Sequence, residues 1–155
     1  MMRCPLLASV AAACASAATA DGITVDNCGD PLDFDTAPER IVVHDKNMTD
    51  MAFELELQDK IVGLTGITGW YKTSPEFDNL RGDIPELAPK IPAIKNLISV
   101  EPDLFLAGSY YGMRPGGDVT PDTLAPFGIK TIVLTESCGH LYKDHPFVRR
   151  HGPAV

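Results

Sequence analysis

Residues 38–64 constrain this chain more than any other stretch, because they read as one complete strand, helix, strand unit with a stop signal at each joint. The β-branched run Ile41-Val42-Val43-His44 follows Pro38 and ends in the polar turn Asp45-Lys46-Asn47. A bounded run of that kind suits a buried strand. Met48, Met51, Ala52 and Leu55 then repeat at i, i+3, i+4, i+7, which predicts a helix with one apolar stripe continuing to Leu57. Asn47 is the expected N-cap, and Asp50 suits the positive end of the helix dipole. Ile61-Val62-Gly63-Leu64 predicts a second strand, parallel to the first and reached by a right-handed crossing.

The 155 residues are long enough for one core, and the formal net charge of -8 is spread along the chain rather than gathered into a tail. Phosphate backbones call for basic stripes, so nucleic acid is not an expected partner. Residues 1–20 are set aside before any fold reasoning. Arg3 is their only charge, an Ala-rich apolar run follows, and Ala18-Thr19-Ala20 forms an A-x-A site ahead of Asp21. That pattern matches a secretory signal peptide, the alternative being a buried N-terminal helix. No run of about 18 unbroken apolar residues supports a membrane span. Cys14 after Ala11-Ala12-Ala13 leaves lipid anchoring open as a variant.

Cleavage after Ala20 leaves Cys28 and Cys138, each at the end of an alternating, strand-like run. Export permits a disulfide between them, with two free thiols as the alternative. Ile23 to Asn27 and Leu32 to Asp35 predict a hairpin around Cys28-Gly29-Asp30-Pro31. Residues 65–92, rich in Gly, Thr, Ser, Pro and Asp, predict a partly helical segment or a functional loop. Gly69-Trp70-Tyr71 stands out within it. A lone Trp there serves core packing or a ligand, since open α/β sheets bind ligands beyond the carboxyl ends of their strands. Ile94, Leu97 and Ile98 predict a helix stopped by Glu101-Pro102-Asp103, and Leu104 to Ala107 a buried strand, followed by the aromatic loop Ser109-Tyr110-Tyr111-Gly112. Thr120 with Pro121 predicts a helix start, Leu124, Phe127 and Gly128 a short helix, and Thr131 to Leu134 the last strand. Strands and helices alternate, so the expected class is α/β with a mostly parallel sheet and flanking helices.

Four segments of this pattern resemble the substrate-binding proteins of bacterial ABC importers for iron-siderophore, haem and cobalamin-type ligands. They are Ala37-Pro38-Glu39-Arg40-Ile41-Val42-Val43, Leu55-Glu56-Leu57-Gln58-Asp59-Lys60-Ile61-Val62-Gly63, Val100-Glu101-Pro102-Asp103-Leu104 and Thr123-Leu124-Ala125-Pro126-Phe127-Gly128-Ile129. Cys28 with Glu136-Ser137-Cys138 resembles the disulfide-bearing branch of that family. The resemblance implies the N-terminal lobe of a two-lobed, helix-linked binding protein over residues 21–138. It also implies a periplasmic location, a permease in the inner membrane as partner, a monomer, and a ferric chelate, haem or cobalamin as ligand, with no resident cofactor. Residues 139–155 resemble the family only at their start and show no apolar periodicity for a connecting helix. The second lobe is therefore expected to be missing, as in a truncated or frameshifted reading frame, and ligand capture to be impaired.

Carried over by position, the resemblance puts the ligand surface at Asn47 and Met48, at Gly69, Trp70 and Tyr71, at Ser109, Tyr110 and Tyr111 with Arg114, and at Glu136. Arg114 suits bidentate pairing with a carboxylate or chelate anion, or is a solvated loop arginine. The family's permease-docking glutamate falls near Lys95 here, with Glu86 as a weak substitute. Two rival readings remain. A small α/β enzyme lacks support, since no dinucleotide fingerprint, P-loop or nucleophile elbow is present. A direct zinc or manganese receptor would draw on His44, His140, His145 and His151, which lack zinc-type spacing, so neither catalytic nor metal residues are expected.

Overall fold

The computed structural model describes residues 22–107, 117–135 and 138. Its first elements, β1 (Ile23–Asn27) and β2 (Asp30–Phe34), pair antiparallel. β2 starts earlier than the sequence predicts. Cys28, at φ 59°, and Gly29 alone make the turn, so Asn27 pairs directly with Asp30. Two-residue turns that match the strand twist demand such positive angles.

β3 (Ile41–His44) is buried at every position, as a strand covered on both faces must be. The helix after it, α1 (Lys46–Glu54), departs from expectation at both ends. Its N-cap is Asp45 rather than Asn47, because the Asp45 side chain reaches forward to the Asn47 N–H. It stops at Glu54 rather than Leu57: Leu55 is the C-cap and Glu56 turns the chain at φ 56°. The buried face is Met48, Thr49, Ala52 and Phe53, while Met51 and Leu55 of the predicted stripe are exposed. Asp50 pairs with Lys46 at 2.6 Å instead of serving the first turn.

A single 3-10 turn, Gln58–Lys60, leads into β4 (Ile61–Thr65), parallel to β3. Residues 65–92 then resolve into α2 (Pro75–Arg81), capped by Ser74, and β5 (Glu86–Ala88). A hydrogen bond from its own backbone N–H, and one from Ser74, hold the Glu76 carboxyl below its usual range. α3 (Ile94–Ile98), β6 (Leu104–Ala107), α4 (Pro121–Leu124) and β7 (Lys130–Val133) complete the described elements. Thr120 caps α4 with Pro121 at its start, as predicted.

The five parallel strands run in the order β5-β4-β3-β6-β7. Alternation along them divides the core between two faces. Ile41, Val43, Leu64 and Leu104 pack with Met48, Phe53 and Phe77 from α1 and α2. Val42, Phe105, Ala107 and Val133 pack with Leu97 and Leu124 from α3 and α4. The hairpin docks on β7. The Asn27 side-chain amide donates to Val133 O at 2.8 Å and its oxygen accepts from Val133 N at 3.3 Å. Lys130 donates to Asp33 O and lies over the Phe34 ring. Next to this contact Cys28 and Cys138 form a disulfide, with Cα atoms 5.3 Å apart.

The segments that carry the family resemblance meet at the amino ends of β3 and β6. Asp103 accepts from the backbone N–H groups of Glu39 at 2.8 Å and Arg40 at 3.1 Å. Arg40 donates in return to Glu101 O and Val100 O, at 2.9 and 2.6 Å. This clamp sets the register of two strands far apart in sequence. Asp103→Ala should lower stability by about 1 kcal/mol, the net worth of a hydrogen bond whose donors water can reach once it is lost. An unchanged urea midpoint would show the clamp to be dispensable.

Candidate functional site

Order in the sheet decides where a ligand surface can lie. From β3 the chain steps outward to β4 and β5, then returns across β3 to β6 and β7. Strand order therefore reverses between the neighbours β3 and β6, and the carboxyl edge at such a reversal is the usual ligand position in open α/β sheets. The loop after β4 flanks it.

His44 lies beneath that edge. It ends β3 with no exposed surface, paired with Thr65 on one side and Ala107 on the other. Its Nδ1 shares a 2.8 Å hydrogen bond with Thr65 Oγ1. The Trp70 ring stands edge-on to it, with centroids 6.0 Å apart and planes at 81°, and Phe105 packs below at 6.2 Å. His44 is thus a core residue. The other three histidines of the metal reading lie outside the described residues.

The loop from Gly66 to Tyr71 is held on every side. Gly66 turns at φ 75°, and a Cβ there would come within 2.8 Å of His44 Cε1 and 3.0 Å of Trp70 Cζ3. Gly69 presses against the chain after β5: its N–H donates to Pro89 O at 2.9 Å, and an added Cβ would lie 2.4 Å from that oxygen. Glu86 grips the same loop. Its Oε1 accepts from the N–H groups of Ile67 and Thr68 at 3.0 and 2.9 Å, and its Oε2 from Thr68 Oγ1 at 2.8 Å. Both oxygens of that carboxylate are thus engaged by the loop after β4. On the β3 side, the Tyr71 hydroxyl donates to Asp45 Oδ2 at 3.0 Å.

The structure brings together part of the predicted surface. Trp70 and Tyr71 share the carboxyl edge with Asn47, which is exposed at the first turn of α1. Trp70 is 40% exposed, so one edge packs on His44 while the rest faces outward. The packing reading of this Trp describes the edge on His44. Met48 is different: it is 3% exposed and buried among Val43, Ala52 and Phe53, so its side chain belongs to the core and not to the edge. Gly69 serves close packing against Pro89. Ser109, Tyr110, Tyr111, Arg114 and Glu136 lie outside the described residues. Sequence reasoning passed over Asp45, although an Asp immediately after a β-branched strand is as good a cap signal as the Asn two places on.

No family model matches the chain, and no curated protein matches it. Solved structures do. An ABC-type Fe3+-hydroxamate transport system from Saccharomonospora viridis aligns with a TM-score of 0.57 and 25% identity, over 75% of this chain and 40% of that one. A periplasmic binding protein from Veillonella parvula aligns at 0.59 and 21% identity, over 77% and 39%. The periplasmic catecholate-siderophore binding protein of Vibrio cholerae aligns at 0.52 and 17% identity, over 84% and 48%. The chain has the fold of these binding proteins and spans less than half the length of each. Among the described residues no helix is long and apolar enough to cross a membrane.

Proposed function

We propose that this chain is the first ligand-binding lobe of a solute receptor for an ABC importer, which takes up a ferric chelate or a related ligand such as haem or cobalamin. The observation that carries this reading is the placement of Trp70 and Tyr71 at the carboxyl edge beside β3, where the strand order reverses, on a fold shared with an Fe3+-hydroxamate transport structure. Exposed aromatic faces suit catecholate rings and porphyrins, and Arg114, which follows β6 in the sequence, would supply charge to an anionic chelate. The role asks for binding without chemistry, so no side chain is assigned as acid, base or nucleophile. Residues 1–20 direct export on this reading, and the disulfide fits an oxidising compartment, where a permease in the inner membrane is the partner.

One lobe covers one side of a ligand, whereas tight sites bury about 70% or more of it. The 155-residue chain should therefore hold ferric catecholate, ferric hydroxamate, haemin or cobalamin only weakly, while fusion to the second lobe of a full-length relative should restore capture. In that fusion Trp70→Ala should weaken binding by about 1–2 kcal/mol, the range of a desolvated cation–π or stacking contact. Fluorescence or calorimetric titration checks both. Sub-micromolar binding by the single lobe, or full affinity in the Trp70→Ala fusion, would overturn the arrangement.

A further inference from the structure

We propose that Asp45 is a positioning residue that latches the aromatic loop 66–71 to the end of β3. Its backbone carries the first indication. With φ 78° and ψ 146°, Asp45 lies in a region that residues other than glycine rarely occupy, and such strain gathers at ligand clamps and switch regions. Helix capping alone does not require it, since a cap ordinarily has unstrained extended angles, as Ser74 and Thr120 do here.

What the strained conformation achieves is visible in the hydrogen bonds. Asp45 is 6% exposed, and its groups point at three separate segments. The backbone N–H donates to Thr65 O at 2.8 Å, tying the end of β3 to the end of β4. The carbonyl oxygen accepts from the Thr49 N–H at 3.0 Å and the Thr49 hydroxyl at 2.9 Å. Oδ1 accepts from the Asn47 N–H at 3.0 Å, which completes the cap. Oδ2 is left for the Tyr71 hydroxyl at 3.0 Å, 26 residues away. One carboxylate thus joins the start of α1 to the loop that bears Trp70. Its charge at the amino end of α1 is favoured by the helix dipole. Tyr71 on this account contributes to a ligand surface through its ring, while its hydroxyl holds the loop.

This inference uses the proposed ligand surface only to say what the latch is for; the latch itself is tested without ligand. Tyr71→Phe removes the hydroxyl and keeps the ring. It should raise the population of opened loop about fivefold, the factor for one lost hydrogen bond, and acrylamide quenching of Trp70 should rise with it. Asp45→Asn retains an oxygen for the cap and a polar partner for Tyr71, so it should restore most of the protection that Asp45→Ala loses. Asp103→Ala is the structural control: it lowers stability from the far edge and should leave Trp70 quenching unchanged. The double variant Asp45→Ala/Tyr71→Phe should quench no more than Asp45→Ala alone, because Asp45→Ala already removes the carboxylate that the Tyr71 hydroxyl binds. Unaltered Trp70 quenching in Tyr71→Phe, or an equal rise in Asp103→Ala, would overturn the latch. In the two-lobe fusion, Tyr71→Phe should weaken haemin or ferric catecholate binding about fivefold on the same basis. Absence of any binding by the unmodified fusion would count against the receptor reading alone, with the quenching results still deciding the latch.

Discussion

Replacing Cys28 and Cys138 together by alanine is expected to remove about 4–5 kcal/mol of stability, the chain-entropy value for a bridge closing a loop on the order of 100 residues. The sequence separation is 110, near the upper end of what one crosslink can stabilise. Both cysteines are also buried in the cluster formed by Val42, Phe105, Val119 and Val133, so the bridge belongs to the core as well as closing the chain. Alanine avoids placing a hydroxyl in that apolar setting. The hairpin should loosen first. Without the bridge, β1 and β2 are held by the Asn27 contacts to Val133, the Lys130 contacts near Phe34 and the packing of Phe34, Val25 and Leu32 on the core. Urea unfolding of the oxidised chain, the reduced chain and the double variant checks the figure, and mass spectrometry of exported material should show a gain of about 2 Da on reduction. A double variant within about 1 kcal/mol of the parent would mean that the hairpin is held by other contacts.

Phe105→Ala should be comparably damaging, at about 3–5 kcal/mol. Phe105 sits in the middle of β6 with 1% of its surface exposed, enclosed by Val42, Leu97, Leu124 and Val133. Four elements meet around its ring, so the space left by truncation has little freedom to collapse. The ring also supports His44, and through it the edge of Trp70. Phe105→Leu should cost less, because most of the volume survives. Trp70→Ala provides the contrast, since a side chain already 40% exposed leaves no closed cavity and its loss should fall on ligand binding rather than on stability. Denaturant midpoints of the three variants separate core from site. A Phe105→Ala chain as stable as the parent would show that this face of the sheet is not close-packed.

The two edges of the sheet carry different kinds of residue. At the amino ends of β3 and β6, Arg40 and Asp103 clamp backbone to backbone, and these residues lie in the segments that carry the family resemblance. At the carboxyl ends, Asp45, Glu86 and the glycines at 66 and 69 shape one loop around Trp70. A sequence pattern can therefore carry a resemblance to a family while saying little about ligand.

Patterns of burial and short-range caps made much of this fold legible from the sequence alone. β3, β4 and β6 declare themselves as bounded apolar runs, because a strand covered on both faces needs apolar residues throughout. Thr120 and Pro121 announce α4, because a cap bonds within three residues of itself. The cysteine pair was legible from placement at the ends of strand-like runs. Only the tertiary structure decided the rest. β5 has three residues, too few for a period, and exists because Leu64 and Thr65 supply its partners. Asp45 caps α1 by a local bond, but that its second oxygen also meets Tyr71, a partner from another loop, has no mark in the sequence. Met51 and Leu55 fit a helical stripe yet face water, because α2 packs against Phe53 instead. Glu86 reads as a surface charge and proves to bind a loop 18 residues earlier. In each case the deciding contact joins segments distant along the chain, and such a contact leaves no period in the sequence by which to read it.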